Sequence, residues 1–294
     1  MKVTDLRIAF FGSPDFATAV LDEMKDSGIL PLLIVTQPDK PKGRSLAVTP
    51  TAASVWAEKN NIDVISPSSL RGDDQSLTIL ENSEWDLFVV AAYGLMIPER
   101  ILNLPKYKTL NIHPSLLPKL RGASPVRTAI LTNQKDAVGV SLMRLDEKMD
   151  HGPVVAQARL EPDPWPVGAI MLEDTLAHEG GKLLVEALPL WIKGELPEEP
   201  QDDTQATYSD KINKAMGEVD LRGNSHENYR KIMALEGWPG TFFFLEKDGK
   251  PFRVKIAEAE LGLDDILHIT RVTPEGKNEM DYADFMRSFR HDLK

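Results

Sequence analysis

The chain of 294 residues contains no cysteine. That excludes a disulfide framework and any thiolate metal site, and it is compatible with a reducing compartment. Long apolar runs are missing as well. No segment reaches the ~18 unbroken apolar residues that a spanning helix needs. The opening residues, MKVTDLRIAFFGSPDF, hold one short apolar run broken by Gly12 and Pro14. They lack the long apolar stretch and the small-residue cleavage site of a secretory signal. A cytoplasmic protein without membrane contact is expected. Glycine-rich phosphate loops are also wanting, since FGSPDF has a single glycine and meets neither the P-loop nor the dinucleotide fingerprint. No G-x-S-x-G elbow occurs. The six histidines are scattered, with no pair at helical i, i+4 spacing, so no metal site is expected.

Positive charge is in short supply. Lys and Arg number 34 against 45 Asp and Glu, for a net charge of -11. Such a balance argues against a general polyanion binder. Nucleic acid would have to meet a local basic patch. What is present suits a globular fold with a buried core: 42% hydrophobic and 27% charged residues. The length allows one large domain or two ordinary ones.

LRIAFF (6–11) reads as a buried strand ending at Gly12. In the next stretch Phe16, Val20 and Met24 recur every four residues, and Gly28 lies just past the end, which is an amphipathic helix with a stop signal. LLIVTQ (32–37) is the following strand. Strand, helix and strand at this spacing predict a parallel sheet. PDKPKGRSLAVTP (38–50), with three prolines and the basic Lys40, Lys42 and Arg44, reads as a long loop. TAASVWAEKNN is a helix and DVISP a short strand. DLFVVAAYG (86–94) is the most apolar run and predicts a central strand. YKTLNIH (107–113), AVGVSLMRL (137–145) and GPVVAQARL (152–160) complete the set. Residues 170–194 carry an apolar helical pattern around Gly180 and Gly181, either one long helix or two short ones.

The polar, acidic and proline-containing stretch ELPEEPQDDTQAT (195–207) reads as a linker. It separates an expected catalytic domain, 1–194, from a smaller β-rich domain, 208–294. In the latter, HENYRKIMALEG is a helix, two strands flank Lys247-Asp248-Gly249 as a hairpin, ILHITRV is a strand and DYADFMRSF a terminal helix.

Asn111 and His113 sit at the end of a predicted strand. In open parallel sheets the carboxyl ends of strands form the ligand crevice. Residues i and i+2 share a face, so both side chains can point into one pocket. Asp150 lies between two predicted strands and can reach the same edge. A Ser-His-Asp reading would need a nucleophile such as Ser115, without an elbow to present it. The set better suits acyl transfer between two bound substrates, with Asn111 and a protonated His113 donating to an oxyanion and Asp150 holding the imidazole. The plainer reading is structural: Asn at a strand end and Asp150-His151-Gly152 both fit turns, and Lys40, Lys42 and Arg44 fit a solvated loop.

FFGSPDFA (10–17), TQPDKPKGR (36–44), VVAAYGLMIP (89–98), NIHPSLLPKLRGASPV (111–126) and MDHGPVV (149–155) occur in the order seen in methionyl-tRNA formyltransferases. TYSDKI, GWPGTFFFL and PEGKNEMDYADF resemble landmarks of that family's C-terminal domain. The resemblance spans nearly the whole chain. It implies an α/β fold, with an N-terminal Rossmann-like open sheet, mostly parallel, and a C-terminal OB-like barrel. It implies transfer of formyl from 10-formyltetrahydrofolate to methionine on initiator tRNA, by a monomer. Carried over by motif, Asn111, His113 and Asp150 match the catalytic trio. Ser115, Leu116, Leu117 and Pro118 match a folate-contacting segment. Val90, Ala91, Tyr93, Gly94 and Leu95 match the strand and loop whose backbone cradles the pterin. Lys40, Lys42 and Arg44, with Arg121, match contacts to tRNA. Two departures stand out. His151 replaces the family's usual small residue or Thr, and the C-terminal region is short, so an abridged or open barrel is expected. Rival readings are a formyltransferase acting on a glycinamide ribonucleotide or an amino sugar, a formyltetrahydrofolate hydrolase-like protein, and a non-catalytic binding module on the same fold.

Overall fold

Strands buried on both faces of a parallel sheet read as unbroken apolar sequence rather than as alternation, and the first part of the chain is built of them. The computed structural model describes residues 2–42, 47–71 and 77–291. In chain order the strands are β1 (Ile8–Gly12), β2 (Leu33–Val35), β3 (Lys40–Lys42), β4 (Ala47–Thr49), β5 (Asp63–Ile65), β6 (Leu87–Ala91), β7 (Thr109–His113), β8 (Arg121–Gly122), β9 (Gly139–Arg144), β10 (Val154–Arg159), β11 (Tyr208–Ser209), β12 (Thr241–Lys247), β13 (Lys250–Leu261), β14 (Leu267–Pro274) and β15 (Met280–Asp281). The helices are α1 (Asp15–Asp26), α2 (Ala52–Asn60), α3 (Thr78–Glu81), α4 (Glu99–Leu102), α5 (Pro125–Leu131), α6 (Ala169–Trp191), α7 (Ser225–Ala234) and α8 (Tyr282–His291).

The chain forms two compact units. The first takes in the residues up to Pro125, Ala137–Glu161 and Glu173–Ser209. The second gathers Val126–Asp136, Pro162–Leu172 and the residues from Asp210 onward.

The first unit holds a seven-stranded sheet in the order β10-β9-β7-β6-β1-β2-β5. Strands β7, β6, β1, β2 and β5 run parallel, while β9 and β10 continue the sheet antiparallel. The most apolar run, β6, is the middle strand, as its composition predicts. Strand order turns back between β1 and β6, which makes their carboxyl ends the place where a crevice opens. Gly12 and Ala91 pair there. A Cβ on Gly12 would lie 2.6 Å from Ala17 Cβ and 2.8 Å from Ala91 O, so only glycine lets α1 start this close to the sheet.

Helix α1 buries Ala17, Val20, Leu21 and Met24. It ends at Gly28, φ 74°, whose N–H returns to Lys25 O at 2.9 Å while Ile29 N reaches Met24 O at 2.8 Å. That is a Schellman stop. One face of the sheet packs Phe11, Val35, Phe88 and Val90 against Trp85, Tyr93 and Ile101. The rings of Phe11 and Phe88 lie 5.1 Å apart. Each such aromatic contributes roughly 1.5–3 kcal/mol by leaving water.

Helix α6 is one continuous helix. Its glycine pair has a packing cause. A Cβ on Gly180 would fall 2.5 Å from Ile112 Cγ2 of β7, and one on Gly181 would fall 2.7 Å from Glu23 Cβ of α1. The helix therefore lies close against both the sheet and α1. The stretch 38–50, read as a loop, instead carries an antiparallel pair, with Lys40 opposite Thr49 and Lys42 opposite Ala47. The β-branched Val48 and Thr49 favour extended backbone, and an isolated two-strand ribbon tolerates Pro41 because one edge is free.

In the second unit the sheet order is β12-β13-β14-β15. Asp248 at φ 52° and Gly249 at φ 71° close the predicted hairpin between Lys247 and Lys250, as a tight primed turn requires. Alternation on β13 buries Val254 and Ile256 and leaves Arg253 and Lys255 outside. The buried set packs with Phe243, Val272, Phe285 and Phe289. On the opposite face Arg253 sits over the Phe242 ring at 3.8 Å, next to half-exposed Phe244. Among the described residues no pairing closes this sheet into a barrel, and no helix is long and apolar enough to cross a membrane.

Gly180→Ala should destabilise the fold by about 1–3 kcal/mol through overpacking against Ile112. That outweighs the ~1 kcal/mol by which Ala is the better helix former. Urea denaturation of the two proteins measures the difference, and a more stable variant would refute the packing argument.

Candidate active site

Strand β7 ends at His113. Asn111 and His113 share its face, and both are buried, at 8% and 4% exposure. Asn111 is flanked by Val90 of β6 and Met143 of β9, and His113 by Ser141 of β9. They stand at the carboxyl edge of the sheet, one strand from the turning point between β1 and β6. Among the described residues nothing hydrogen-bonds to the Asn111 carboxamide, which leaves its donors for a ligand.

The His113 ring is held at Nε2, which lies 3.0 Å from Leu120 O. A carbonyl can only accept, so Nε2 carries the hydrogen. Nδ1 lies 3.7 Å from Asp150 Oδ1, an ion-pair distance rather than a hydrogen bond. Nδ1 is therefore the ring atom left for chemistry. Asp150 reaches this place on a left-handed backbone, φ 49°, a conformation that Asn and Asp tolerate better than most side chains. Its Oδ2 accepts a hydrogen bond from Gly122 N at 2.7 Å. Gly122 has φ 117°, and a Cβ there would lie 2.3 Å from Ser209 O. No other residue fits the position that presents this N–H.

Ser115, Leu116, Leu117 and Pro118 follow as a braced loop. Fully buried Ser141 is its anchor. The Ser141 hydroxyl donates to Ser115 O at 2.7 Å and accepts from Leu117 N at 3.0 Å and from Gln157 Nε2 at 2.7 Å. Gln157 also donates to Leu117 O at 2.9 Å, and Ser115 Oγ to Lys119 O at 2.6 Å. Neither Ser141 nor Gln157 stood out in the sequence. The one available signal was their place on strands flanking β7.

Val90 and Ala91 close β6 and are buried. Gly94 turns at φ 77° and is exposed. Leu95 packs against the core. The Tyr93 ring meets Phe11 edge-on at 5.5 Å, and burial pushes its hydroxyl up from the ordinary value. Tyr93 O accepts from Gln37 Nε2 at 2.7 Å. Lys40 and Lys42 lie on β3. Arg44 lies outside the described residues.

The chain matches the formyl transferase model over residues 6–188. It belongs to the formyl transferase family. A protein named methionyl-tRNA formyltransferase from Sulfurihydrogenibium sp. is 38% identical over 257 residues, covering 87% of this chain and 82% of that one. Another of that name from Thermus thermophilus is 35% identical over 303 residues, covering 97% and 96%. Among solved structures, HypX from Aquifex aeolicus in complex with tetrahydrofolic acid has a TM-score of 0.66 at 17% identity, covering 98% of this chain and 48% of that chain. An N-formyltransferase from Helicobacter canadensis, in complex with folinic acid and dTDP-3-aminofucose, has a TM-score of 0.61 at 16% identity, covering 87% and 89%. These two share the fold.

The structure gives one expected site residue of this formyl transferase other partners. Arg121, read as facing tRNA, is 2% exposed. Its Nε donates to Gln201 Oε1 at 2.9 Å and its Nη2 lies 2.9 Å from Asp203 Oδ1. A guanidinium buried in this way braces the site loop against Gln201 and Asp203. His151, the departure from the family pattern, is similarly engaged. Nδ1 lies 2.7 Å from Asp146 Oδ2, and Nε2 lies 3.7 Å from Asp203 Oδ2. The stretch read as a linker thus supplies partners to the site. Thr207 and Ser209 belong with it: Arg121 N donates to Thr207 O at 2.9 Å, and Ala123 N to Ser209 O at 3.1 Å.

The Arg121 hydrogen bond holds the Asp203 carboxyl below its ordinary value of 3.8. A carboxylate lowered on folding adds stability above that ordinary value and loses it as pH falls through the lowered one. Asp203 is exposed, so the contribution is small. Asp203→Asn should therefore lower the denaturation midpoint slightly at neutral pH, and variant and parent should converge in strong acid. Urea melts across the pH range check this, and a gap that widened in acid would contradict it.

Proposed function

We propose that the protein transfers the formyl group of 10-formyltetrahydrofolate to the α-amine of methionine on initiator tRNA, for translation initiation. The reading is carried by His113 and Asp150 facing each other at 3.7 Å, with Asn111 buried two residues along the same strand face, in a chain similar over nearly its whole length to proteins of that name. The amine nitrogen attacks the formyl carbon. The new C–N bond forms as the bond to the folate nitrogen breaks, and the proton lost by the amine passes to that leaving nitrogen. Asn111 donates to the oxyanion, and so does His113 from Nδ1 when its ring is protonated. Asp150 faces Nδ1 and steers the proton. The braced segment Ser115–Pro118 and the turn after β6 hold the folate, so that reactants meet in a fixed geometry.

On the tRNA side, Lys40, Lys42 and Arg44 contact the acceptor stem. The face of β13 with Arg253 and Lys255, beside Phe244, offers charge and a stacking surface of the kind RNA favours. These local patches offset the overall negative charge. The enzyme works as a monomer in the cytoplasm. The same site chemistry would serve an amino-sugar acceptor, the second reading, which the sugar-formylating fold neighbours keep open.

Incubation with 10-formyltetrahydrofolate and charged initiator tRNA should give formyl-methionyl-tRNA. Asn111→Ala and His113→Ala should each lower turnover by about 10²–10³-fold without loss of the folded circular-dichroism signal. Absence of product with folate binding intact would sink the reading, and near-normal turnover in either variant would remove that residue from the chemistry.

Lys42→Ala combined with Arg44→Ala should raise the KM for tRNA and flatten its salt dependence, because phosphate contacts release counterions. An unchanged KM and slope would take the loop out of the tRNA site.

A further inference from the structure

Asp150 is held in an uncommon backbone conformation, and one distant side chain supports it. Gln201 Nε2 donates to Asp150 O at 2.9 Å and to Gly152 O at 2.7 Å. The same carboxamide accepts from Arg121 Nε at 2.9 Å through Oε1. Arg121 is the neighbour of Gly122, whose N–H meets the Asp150 carboxylate. Gln201 thus ties together the turn that carries the carboxylate and the strand that pins it. Gly152 tightens the arrangement, since a Cβ there would lie 1.9 Å from Arg144 O. The turn has no slack to absorb a lost partner. The chemistry of the tie is specific. Two carbonyls need two donors and a guanidinium needs an acceptor, and a carboxamide supplies both. A carboxylate would satisfy Arg121 but present oxygens to two carbonyl oxygens.

We infer that Gln201 is a positioning residue for formyl transfer, setting the angle at which Asp150 meets His113 Nδ1. It touches no reacting atom. The inference rests on the role given to Asp150 above. Partners that orient metal-bound side chains are typically worth about 10–100-fold in activity, and an effect of that order is expected for this carboxylate.

Two variants separate the contacts. Gln201→Met keeps length and bulk but removes all three hydrogen bonds. Gln201→Glu keeps the contact to Arg121 and loses the donors to Asp150 and Gly152. Both should lower kcat by about 10–100-fold with the KM for folate and for tRNA unchanged. In an Asp150→Asn background either change should have little further effect, because residues acting through one another are not additive. A second readout needs no turnover: the ¹⁵N resonance of His113 Nδ1 should move in Gln201→Met in the direction that it moves in Asp150→Asn. If Asp150→Asn is slow but Gln201→Glu is normal, or if the double variant is additive and the His113 resonance stays put, the positioning role is overturned and the reading of the trio stands. If Asp150→Asn turns over like the parent, the trio reading fails and this inference fails with it.

Discussion

The hydrogen bond from the Gly122 amide to Asp150 Oδ2, 2.7 Å long, is the constraint on which the rest of the site hangs. It joins the short strand β8 to the turn between β9 and β10, and it demands unusual backbone on both sides: φ 117° at Gly122 and φ 49° at Asp150. A charged acceptor makes it stronger than a neutral hydrogen bond. With one carboxylate oxygen fixed, the other faces His113, whose far nitrogen is already committed to Leu120 O. Each partner thus has one atom anchored and one atom turned toward the place where a substrate would sit. Arg121, Gln201, Thr207 and Ser209 all serve to keep the Gly122 amide aimed.

Division of labour inside the sheet follows from the same logic. The parallel core supplies rigidity through Phe11, Phe88, Val90 and their neighbours. The antiparallel extension supplies polar support, since β9 places Ser141 under the Ser115–Pro118 loop and β10 adds Gln157. Helix α6 presses on β7 through Gly180, and so backs the strand that carries Asn111 and His113.

Much of this was legible from residue order alone. Apolar runs such as LFVVA revealed the central strands because burial on both faces leaves no polar alternation to confuse the period. Period two placed Asn111 and His113 on one face, and the hairpin at Asp248-Gly249 followed from turn chemistry. What stayed hidden was of another kind. A buried Arg121 looks like any basic residue in a loop, because nothing local records that Asp203 and Gln201 close over it. Ser141 sits in an apolar strand as one small polar letter. The pairing of β3 with β4 escaped because prolines and lysines argue for a loop. The segment from Glu195 to Thr207 has the composition of a spacer, and its bonds to the site are visible only in three dimensions.

Those bonds span long stretches of chain: 28 residues separate Gly122 from Asp150, and 80 separate Arg121 from Gln201. The entropy of closing a loop grows only with the logarithm of its length. Closing the longer of these costs about 0.9 kcal/mol more than the shorter on that scaling. Distance along the chain is therefore a weak deterrent to bringing groups together. The intervening sequence is left at liberty to do other work, and Val126–Asp136 and Pro162–Leu172 do so by joining the second unit. An order of residues that looks scattered is, in free-energy terms, nearly as economical as a contiguous one.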